Sequence, residues 1–226
     1  MESRPVRIRF LGLRDYSEYW QKMKTFTDSR SRETCDEIWL LEHPPVYTQG
    51  LNGKPEHILD PGAIPVIRSD RGGQATYHGP GQLVMYTLLS IRHRKIGIRQ
   101  LVSMLEQSAI DTLKQYGIDA RSRADAPGVY VDGSKIASIG LRVRRGCSYH
   151  GISLNVAGDL SPFSRINVCG FPSLSVTSLY DLRGPGLCHE VAIPLVYHFL
   201  DCLGESAESN NVSIDPLPTS FANLDS

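Results

Sequence analysis

A twelve-residue segment, from Arg71 to Gln82, constrains this chain of 226 residues more than any other part of it. The segment reads RGGQATYHGPGQ, and its four glycines and one proline predict an irregular backbone instead of a regular strand or helix. Glycine lets the backbone pass close to a ligand, and the interleaved polar side chains can contact one. The spacing is not that of a dinucleotide-binding or phosphate-binding glycine loop. We therefore expect a loop that wraps a substrate, with a structural double turn as the alternative.

Three further segments contain residues with reactive or titratable side chains. Lys135 in GSKIASIG follows an Asp132-Gly133 turn at the start of an apolar strand, where burial would lower its pKa. His150 in YHGISLNV opens another strand. Cys169 in VCGF precedes a glycine, a context that ends regular structure and leaves backbone N–H groups near the sulfur. Taken singly, each has a more ordinary interpretation: a solvated lysine, a structural histidine and a core cysteine.

The order of hydrophobic patterns predicts an α+β fold, with a mixed central β-sheet flanked by helices. We expect one catalytic domain over residues 1–204 and a disordered polar tail over 205–226. The predicted helices run from Tyr16 to about Phe26, with Asp15 as the N-cap, from Ile98 to Tyr116, and through 191–203, where Pro194 marks a start or a kink. The predicted strands are 6–11, 38–41, 64–67, 83–91, 129–131, 135–143 and 149–156.

Composition excludes several classes of function. Lys plus Arg equals Asp plus Glu, 24 each, so no long-range field attracts nucleic acid or an anionic membrane. No apolar run is long enough for a membrane helix and the N-terminus lacks a signal-peptide pattern, so we expect a cytoplasmic protein. The five cysteines are odd in number and scattered, which favours reduced thiols. Their spacing from the histidines fits no usual zinc site, so no metal is expected.

The four segments together resemble the lipoyl(octanoyl) transferases of the lipoate- and biotin-protein ligase superfamily. The resemblance implies a fold like the catalytic domain of class II aminoacyl-tRNA synthetases and biotin ligases. It also implies that Cys169 is the acyl-thioester nucleophile and that Lys135 lowers the pKa of its thiol. It implies a substrate pocket lined by Arg71, Gly72, Gly73, Gln74, Ala75, Thr76, Tyr77, His78, Ser138, Ile139, Gly140, Gly151, Ile152 and Ser153.

The implied reaction takes an octanoyl group from the phosphopantetheine of acyl carrier protein. It delivers the group to a lysine on the lipoyl domains of 2-oxoacid dehydrogenase E2 subunits and the glycine-cleavage H protein. Neither ATP nor a metal is required, and we expect a monomer. The family usually has proline before its cysteine, whereas this chain has Val168. Two basic clusters, 92–95 and 142–145, are candidates for docking the acidic carrier, with a solvated rim as the alternative.

Three other functions fit parts of the sequence. An ATP-dependent lipoate or biotin ligase has the same fold but makes an acyl-adenylate and needs no cysteine nucleophile. A non-catalytic fatty-acid-binding protein would use the pocket alone. A cysteine peptidase would pair Cys169 with His150, but the order and separation match no known signature.

Overall fold

The computed structural model describes residues 4–170 and 174–216, with Cys169 described by its backbone alone. The elements in chain order are β1 (Val6–Leu13), α1 (Tyr16–Ser29), β2 (Asp36–Glu42), β3 (Val46–Gln49), β4 (Val66–Arg68), β5 (Ala75–His78), β6 (Gln82–Leu88), α2 (Ile91–Arg94), α3 (Ile98–Gln115), β7 (Arg121–Ser122), β8 (Gly128–Val131), β9 (Ser134–Arg144), β10 (Cys147–Asn155), α4 (Cys188–Leu203) and β11 (Val212–Ile214). Short 3₁₀ turns occur at Pro55–His57, Ser161–Arg165 and Val168–Gly170.

Two sheets organise the chain. The large sheet has the order β11-β1-β2-β6-β10-β9-β8-β7, and the small one has the order β4-β3-β5. In the large sheet, β1 pairs in parallel with both β11 and β2. The remaining neighbours in that sheet, in the order β2-β6-β10-β9-β8-β7, are antiparallel. The predicted mixed sheet flanked by helices is therefore confirmed.

Alternating side chains divide the large sheet into two faces. On one face, Ile38, Leu40 and Met85 belong to a core cluster with buried residues of α3 and α4. On the other face, Trp39 and Tyr86 belong to a cluster with buried residues of α1. The central strands are consequently buried on both sides, which holds their backbones rigid beneath any site built on them.

Several local predictions match the structure. The side chain of Asp15 caps α1 by accepting a hydrogen bond from the backbone N–H of Glu18 at 2.9 Å. Asp132 and Gly133 both have positive φ, 47° and 82°, and they form the tight turn between β8 and β9. The register of this hairpin places Lys135 at the beginning of β9.

Two expectations were wrong in detail, and one alternative is excluded. The glycine-rich segment contains a strand, because Ala75–His78 pairs with β3 through residues that lie between its glycines. α4 begins at Cys188, so Pro194 lies inside the helix and does not mark its start, which was one of the two alternatives given for it. The expected disordered tail includes Val212–Ile214, which pairs with β1, while residues 217–226 lie outside the described residues. The limits of the catalytic domain stay a prediction.

Across residues 4–170 and 174–216, every helix is too short or too polar to cross a membrane.

Candidate active site

A turn at residues 50–52 holds the glycine-rich loop in place through main-chain hydrogen bonds. The backbone N–H groups of Gly50, Leu51 and Asn52 donate to the carbonyl oxygens of Gln74, Arg71 and Gly73 at 3.1, 2.9 and 3.1 Å. Three carbonyls thus converge on this turn, and a side chain on Gly50 would collide with the carbonyl oxygens of Arg71, Gly72 and Gly73. The loop is therefore held in one shape by main-chain hydrogen bonds.

The Arg71 side chain fixes the same loop from within. Its guanidinium donates to Thr48 Oγ1 at 3.0 Å from Nε, to the Gln74 carbonyl at 2.7 Å from Nη2 and to the Gly72 carbonyl at 3.0 Å from Nη1. Because the side chain is only 7% exposed, these contacts are strong and poorly screened. Arg71 thus shapes the loop as well as lining the cavity above it.

A narrow cavity lies between this loop, α1 and the large sheet, and its empty space, counted out to open solvent, is about 470 Å³. Twelve of the fourteen residues that the resemblance assigned to the substrate pocket line it: Arg71, Gly73, Gln74, Ala75, Thr76, His78, Ser138, Ile139, Gly140, Gly151, Ile152 and Ser153. Substrate binding by these residues stays a prediction, but the structure brings them together from three strands and a loop.

The other two predicted pocket residues lie elsewhere. The backbone N–H of Gly72 donates to the Leu141 carbonyl at 2.8 Å and joins the loop to β9. The ring of Tyr77 packs at 5.6 Å from that of Tyr47 and at 5.5 Å from that of Phe163, in the core of the small sheet. Alternation along β5 explains the difference, since Thr76 and His78 face the cavity and Tyr77 points away.

Four further lining residues were missed by sequence reasoning: Tyr16, Val84, Tyr86 and His150. Tyr16 begins α1, and its ring stacks on His78 at 5.7 Å. His150 was interpreted as structural. The sequence signal for a pocket residue here was a histidine directly before Gly151, in a strand whose other residues are typical of a core.

His150 reaches the cavity through an unusual backbone conformation. Its φ is +59°, a left-handed value that is uncommon for a residue with a side chain. His150 Nε2 lies 3.0 Å from Asp70 Oδ1, and the neighbouring hydroxyl of Tyr149 donates to the same carboxylate. Consecutive side chains of β10 therefore meet one acid, and Trp20 Nε1 donates to it as well, at 2.7 Å.

These contacts set the charge of the group. Burial raises the pKa of Asp70, but hydrogen bonds from His150, Tyr149 and Trp20 outweigh it and hold the pKa well below its usual range. Burial lowers the pKa of His150, and Asp70 opposes that shift in part. A neutral His150 donates from Nε2 to Asp70, which leaves the buried Nδ1 without a partner among the described residues.

Two more histidines line or support the wall behind Tyr16. His43 Nδ1 lies 2.6 Å from the Arg14 carbonyl and Nε2 lies 2.7 Å from the Tyr86 hydroxyl. Burial lowers the pKa of His43 to about 4. Burial, followed by the nearby His43, also takes the pKa of His78 well below its ordinary value. This part of the cavity wall is therefore aromatic, and its two histidines are uncharged near neutral pH.

Lys135 is buried at 1% exposure beneath the turn that precedes β8. Its Nζ donates to the Pro127 carbonyl at 3.0 Å and lies 5.2 Å from the centre of the Tyr130 ring. A side chain at Gly128 would lie 3.0 Å from Nζ, so the absence of one makes room for the amine. The prediction of a lysine against an apolar wall thus matches the structure, although Lys135 does not line the 470 Å³ cavity.

The segment that contains Cys169 adjoins the cavity loop. A methyl carbon built on Gly170 would lie 2.2 Å from Oε1 and 2.4 Å from Nε2 of Gln74, which lines the cavity. Val168, which stands where the family usually has proline, is 2% exposed in the small-sheet core. The Cys169 side chain and the following Phe171 lie outside the described residues, so the contact between its sulfur and Lys135 stays a prediction.

The expectation of free backbone N–H groups near the sulfur does not hold for Gly170, whose N–H donates to the Asn167 carbonyl at 2.9 Å. The 3₁₀ turn at Val168–Gly170 uses this donor internally.

The main chain of Lys135 binds the segment that follows the cysteine. Its N–H donates to the Ser175 carbonyl at 2.8 Å, and its carbonyl accepts from the N–H of Thr177 at 3.0 Å. Between them, Val176 packs against the small-sheet core that contains Val168. The lysine strand and the cysteine region are thus tied to one another by hydrogen bonds and by a shared core.

The first predicted basic cluster meets Arg145 of the second at the far end of the β9–β10 hairpin. Arg92 to Lys95 and Arg145 line one groove, and the Arg92 N–H donates to the Gly146 carbonyl at 2.9 Å. Arg94, however, is paired with the buried Asp36 and with Glu205 at 2.7 and 2.9 Å. Carrier docking at this groove stays a prediction.

Comparison with known proteins agrees with this geometry. Residues 15–199 match the family model described as the lipoyl protein ligase A/B catalytic domain. The chain belongs to this family. It is 57% identical over 198 residues to the octanoyltransferase of Methylococcus capsulatus, covering 88% of this chain and 96% of that protein. It is 55% identical to the octanoyltransferase of Shewanella amazonensis, covering 90% and 94%. The prediction of an acyltransferase is confirmed.

Solved structures of a lipoate-protein ligase and of a biotin protein ligase share the fold. A lipoate-protein ligase A bound with ATP superposes with a TM-score of 0.74 at 17% identity, covering 98% of this chain and 91% of that one. A biotin protein ligase from Aquifex aeolicus in complex with biotin and ATP gives 0.58 at 15% identity, covering 88% and 70%. At these identities the likeness concerns the fold, and it confirms the predicted biotin-ligase-like architecture.

Proposed function

We propose that this chain transfers an octanoyl group from acyl carrier protein, through a thioester on Cys169, to a lysine of a lipoyl domain. The acceptors are 2-oxoacid dehydrogenase E2 subunits and the glycine-cleavage H protein. The chain acts in the cytoplasm as a monomer and needs neither ATP nor a metal. The octanoyltransferases to which it is 57% and 55% identical support this choice of acyl group.

One observation carries the proposal: the four separate motif segments converge on one place. The glycine-rich loop, β9 and β10 line the cavity, and Gly170 of the cysteine turn lies against Gln74 in its wall. Lys135 is the second residue of β9, and its main chain forms hydrogen bonds with residues beyond the cysteine. An acyl chain in the cavity would therefore have its reactive end near both functional groups.

In the first half-reaction the Cys169 thiolate attacks the carbonyl carbon of the carrier thioester. The new carbon–sulfur bond forms as the bond to the phosphopantetheine sulfur breaks, and the departing thiolate takes up the proton of Lys135, which is left neutral. One thioester replaces another, so the step is nearly isoenergetic and needs no ATP. A protonated Lys135 near the sulfur favours the thiolate form of the nucleophile.

In the second half-reaction the amine of the acceptor lysine attacks the thioester on Cys169. A carbon–nitrogen bond forms, the carbon–sulfur bond breaks, and the amine gives up a proton. Lys135 in its neutral form accepts that proton as general base, and the ammonium then supports the released thiolate. Conversion of a thioester to an amide runs downhill, which drives the transfer to completion.

The cavity supplies the binding energy for the chain. Ile139, Ile152 and Val84 offer apolar wall, and each methylene removed from water contributes about 0.8 kcal/mol. Aromatic side chains of Tyr16 and Tyr86 complete the lining. Anchoring at the alkyl end positions the thioester at the opposite end.

Intact-mass spectrometry with octanoyl-carrier protein tests the proposal. The unaltered chain is expected to gain one octanoyl group that hydroxylamine removes, and Cys169→Ala is expected to gain none. Cys202→Ala, which removes a partly buried thiol on α4, is the matched control and should be acylated normally. Acylation from free octanoate and ATP that survives Cys169→Ala would overturn the proposal in favour of a ligase.

Lys135→Met keeps the length and bulk of the side chain but removes its amine. We expect this variant to lose transfer to the lipoyl domain and to acylate at least ten times more slowly. Lys114→Met, at the exposed end of α3, provides the comparison and should behave like the unaltered chain.

A further inference from the structure

Acyl transfer at a thioester places negative charge on the carbonyl oxygen, and a donor aimed at that oxygen is usually a large part of catalysis. The Gly170 N–H, which follows the nucleophile directly, is already used, because it donates to the Asn167 carbonyl at 2.9 Å. A side chain that reaches this position is another source of a donor, and the role inferred for it rests on the proposed function.

The side-chain amide of Gln74 lies against the cysteine turn. The space that a methyl group on Gly170 would fill is within 2.2 Å of Oε1 and 2.4 Å of Nε2. Gln74 is also part of the cavity wall. Its amide thus lies where the wall of the acyl cavity meets the residue after the nucleophile.

The backbone of Gln74 is held on both sides. Its carbonyl oxygen accepts from the Gly50 N–H at 3.1 Å and from Arg71 Nη2 at 2.7 Å. The side chain starts from a fixed point, so a hydrogen bond from its amide requires little further ordering.

The amide has unused hydrogen-bonding capacity. Gln74 Oε1 is buried and has no partner among the described residues. Buried polar atoms in native proteins are nearly always paired, so one without a partner points to a group that arrives with the substrate. As placed, Oε1 would need a donor. A half-turn about the last side-chain bond exchanges oxygen and nitrogen, and in that arrangement Nε2 is the unpaired atom and can donate to an arriving carbonyl oxygen.

We propose that Gln74 Nε2 donates a hydrogen bond to the carbonyl oxygen of the acyl thioester at Cys169. Gln74 is then a catalytic residue of both half-reactions, because the same oxygen carries the charge in each. It is neutral throughout and exchanges no proton. Its contribution grows as the carbonyl becomes tetrahedral, so it acts on the rate of transfer more than on substrate affinity.

Single-turnover acylation by octanoyl-carrier protein tests this role in Gln74→Glu, which keeps the size but loses the donor, and in Gln74→Leu. Both variants are expected to form the acyl-enzyme 10²- to 10³-fold more slowly, about the loss seen for one oxyanion donor, with an unchanged KM. Aminolysis of the preformed acyl-enzyme by a lipoyl domain should slow by a similar factor. Gln107→Leu, an exposed amide on α3, is the control and should match the unaltered chain.

Rates within threefold of the unaltered chain for both Gln74→Glu and Gln74→Leu would overturn the role of Gln74 while the proposed function stands. A raised KM with an unchanged turnover would also overturn it, because that pattern belongs to a wall residue. Failure of the unaltered chain to gain an octanoyl group would remove the proposed function and this role together.

Discussion

Asp70 organises more of the site than its single carboxylate suggests. Three donors from two elements, Trp20 of α1 and Tyr149 and His150 of β10, converge on it. It directly precedes the glycine-rich segment, so it joins the loop to α1 and β10 at once. The left-handed conformation of His150 costs free energy that these hydrogen bonds offset.

Replacing Asp70 with alanine is expected to lower the free energy of unfolding by about 2–4 kcal/mol, since a buried histidine and two other donors lose a charged acceptor. Urea denaturation of the variant and the unaltered chain measures the difference. Asp125→Ala removes an acid from a fully exposed pair with Arg123 and should leave unfolding unchanged. Equal effects of the two substitutions would contradict a supporting role for Asp70.

The sequence pattern predicted the chemical role of single residues better than it predicted which residues would be their neighbours in the fold. The buried state of Lys135 follows from its place before an apolar strand, but Pro127, Gly128 and Tyr130 become its neighbours only through the β8–β9 register. The neighbourhood of Gln74 depends likewise on contacts with Gly170, almost a hundred positions later in the chain. Non-local contacts of this kind leave no mark on local sequence.

At the scale of elements, long periodic segments were predicted well and short ones poorly. The apolar spacing of α3 gave its limits to within one residue. β5 was missed because glycines at both ends of Ala75–His78 resemble a loop, while its pairing partner β3 supplies the order. β11 was missed because three residues in a polar stretch carry no periodicity, although β1 offers them an unpaired edge.

The pairing of β11 with β1 protects the edge of the large sheet. A chain ending at Glu208 would expose the edge at Val6, Arg7 and Ile8 and lose the ion pair of Arg7 with Asp215. We expect this truncation to lower stability by about 1–2 kcal/mol, which corresponds to roughly 2–8 °C in Tm at this chain length, and to increase self-association. Thermal unfolding and light scattering measure both.

A chain ending at Pro216 is the matched comparison for the chain ending at Glu208, because it retains β11 and lacks only residues beyond it. We expect its Tm and its scattering to equal those of the full chain. Identical behaviour of the two truncated chains would show that the β11 pairing contributes nothing.

At the scale of the whole molecule, burial of several histidines links stability to pH. Burial lowers the pKa of His43, His78 and His150, so each resists protonation in the native state. The unfolded chain takes up these protons near pH 6.5, and the native state is therefore destabilised as the pH falls below that value. Glu42, whose pKa burial raises, acts in the opposite direction.

For His43 the window runs from about pH 6.5, its unfolded value, down to its native pKa of about 4. Linkage gives a loss of about 2 kcal/mol between pH 7 and pH 5 from this residue. Urea denaturation at the two pH values should show His43→Gln losing about that much less than the unaltered chain. Equal losses would exclude His43 as a source of the pH dependence.

The hydrogen bonds from the main chain of Lys135 to Ser175 and Thr177 have a consequence for motion during turnover. The bonds join two segments that lie more than thirty positions apart in the chain, so thermal motion displaces the two segments together. A carrier or acceptor protein that pushes on the surface would shift the amine and the nucleophile's segment together, and their mutual alignment would survive the exchange of partners.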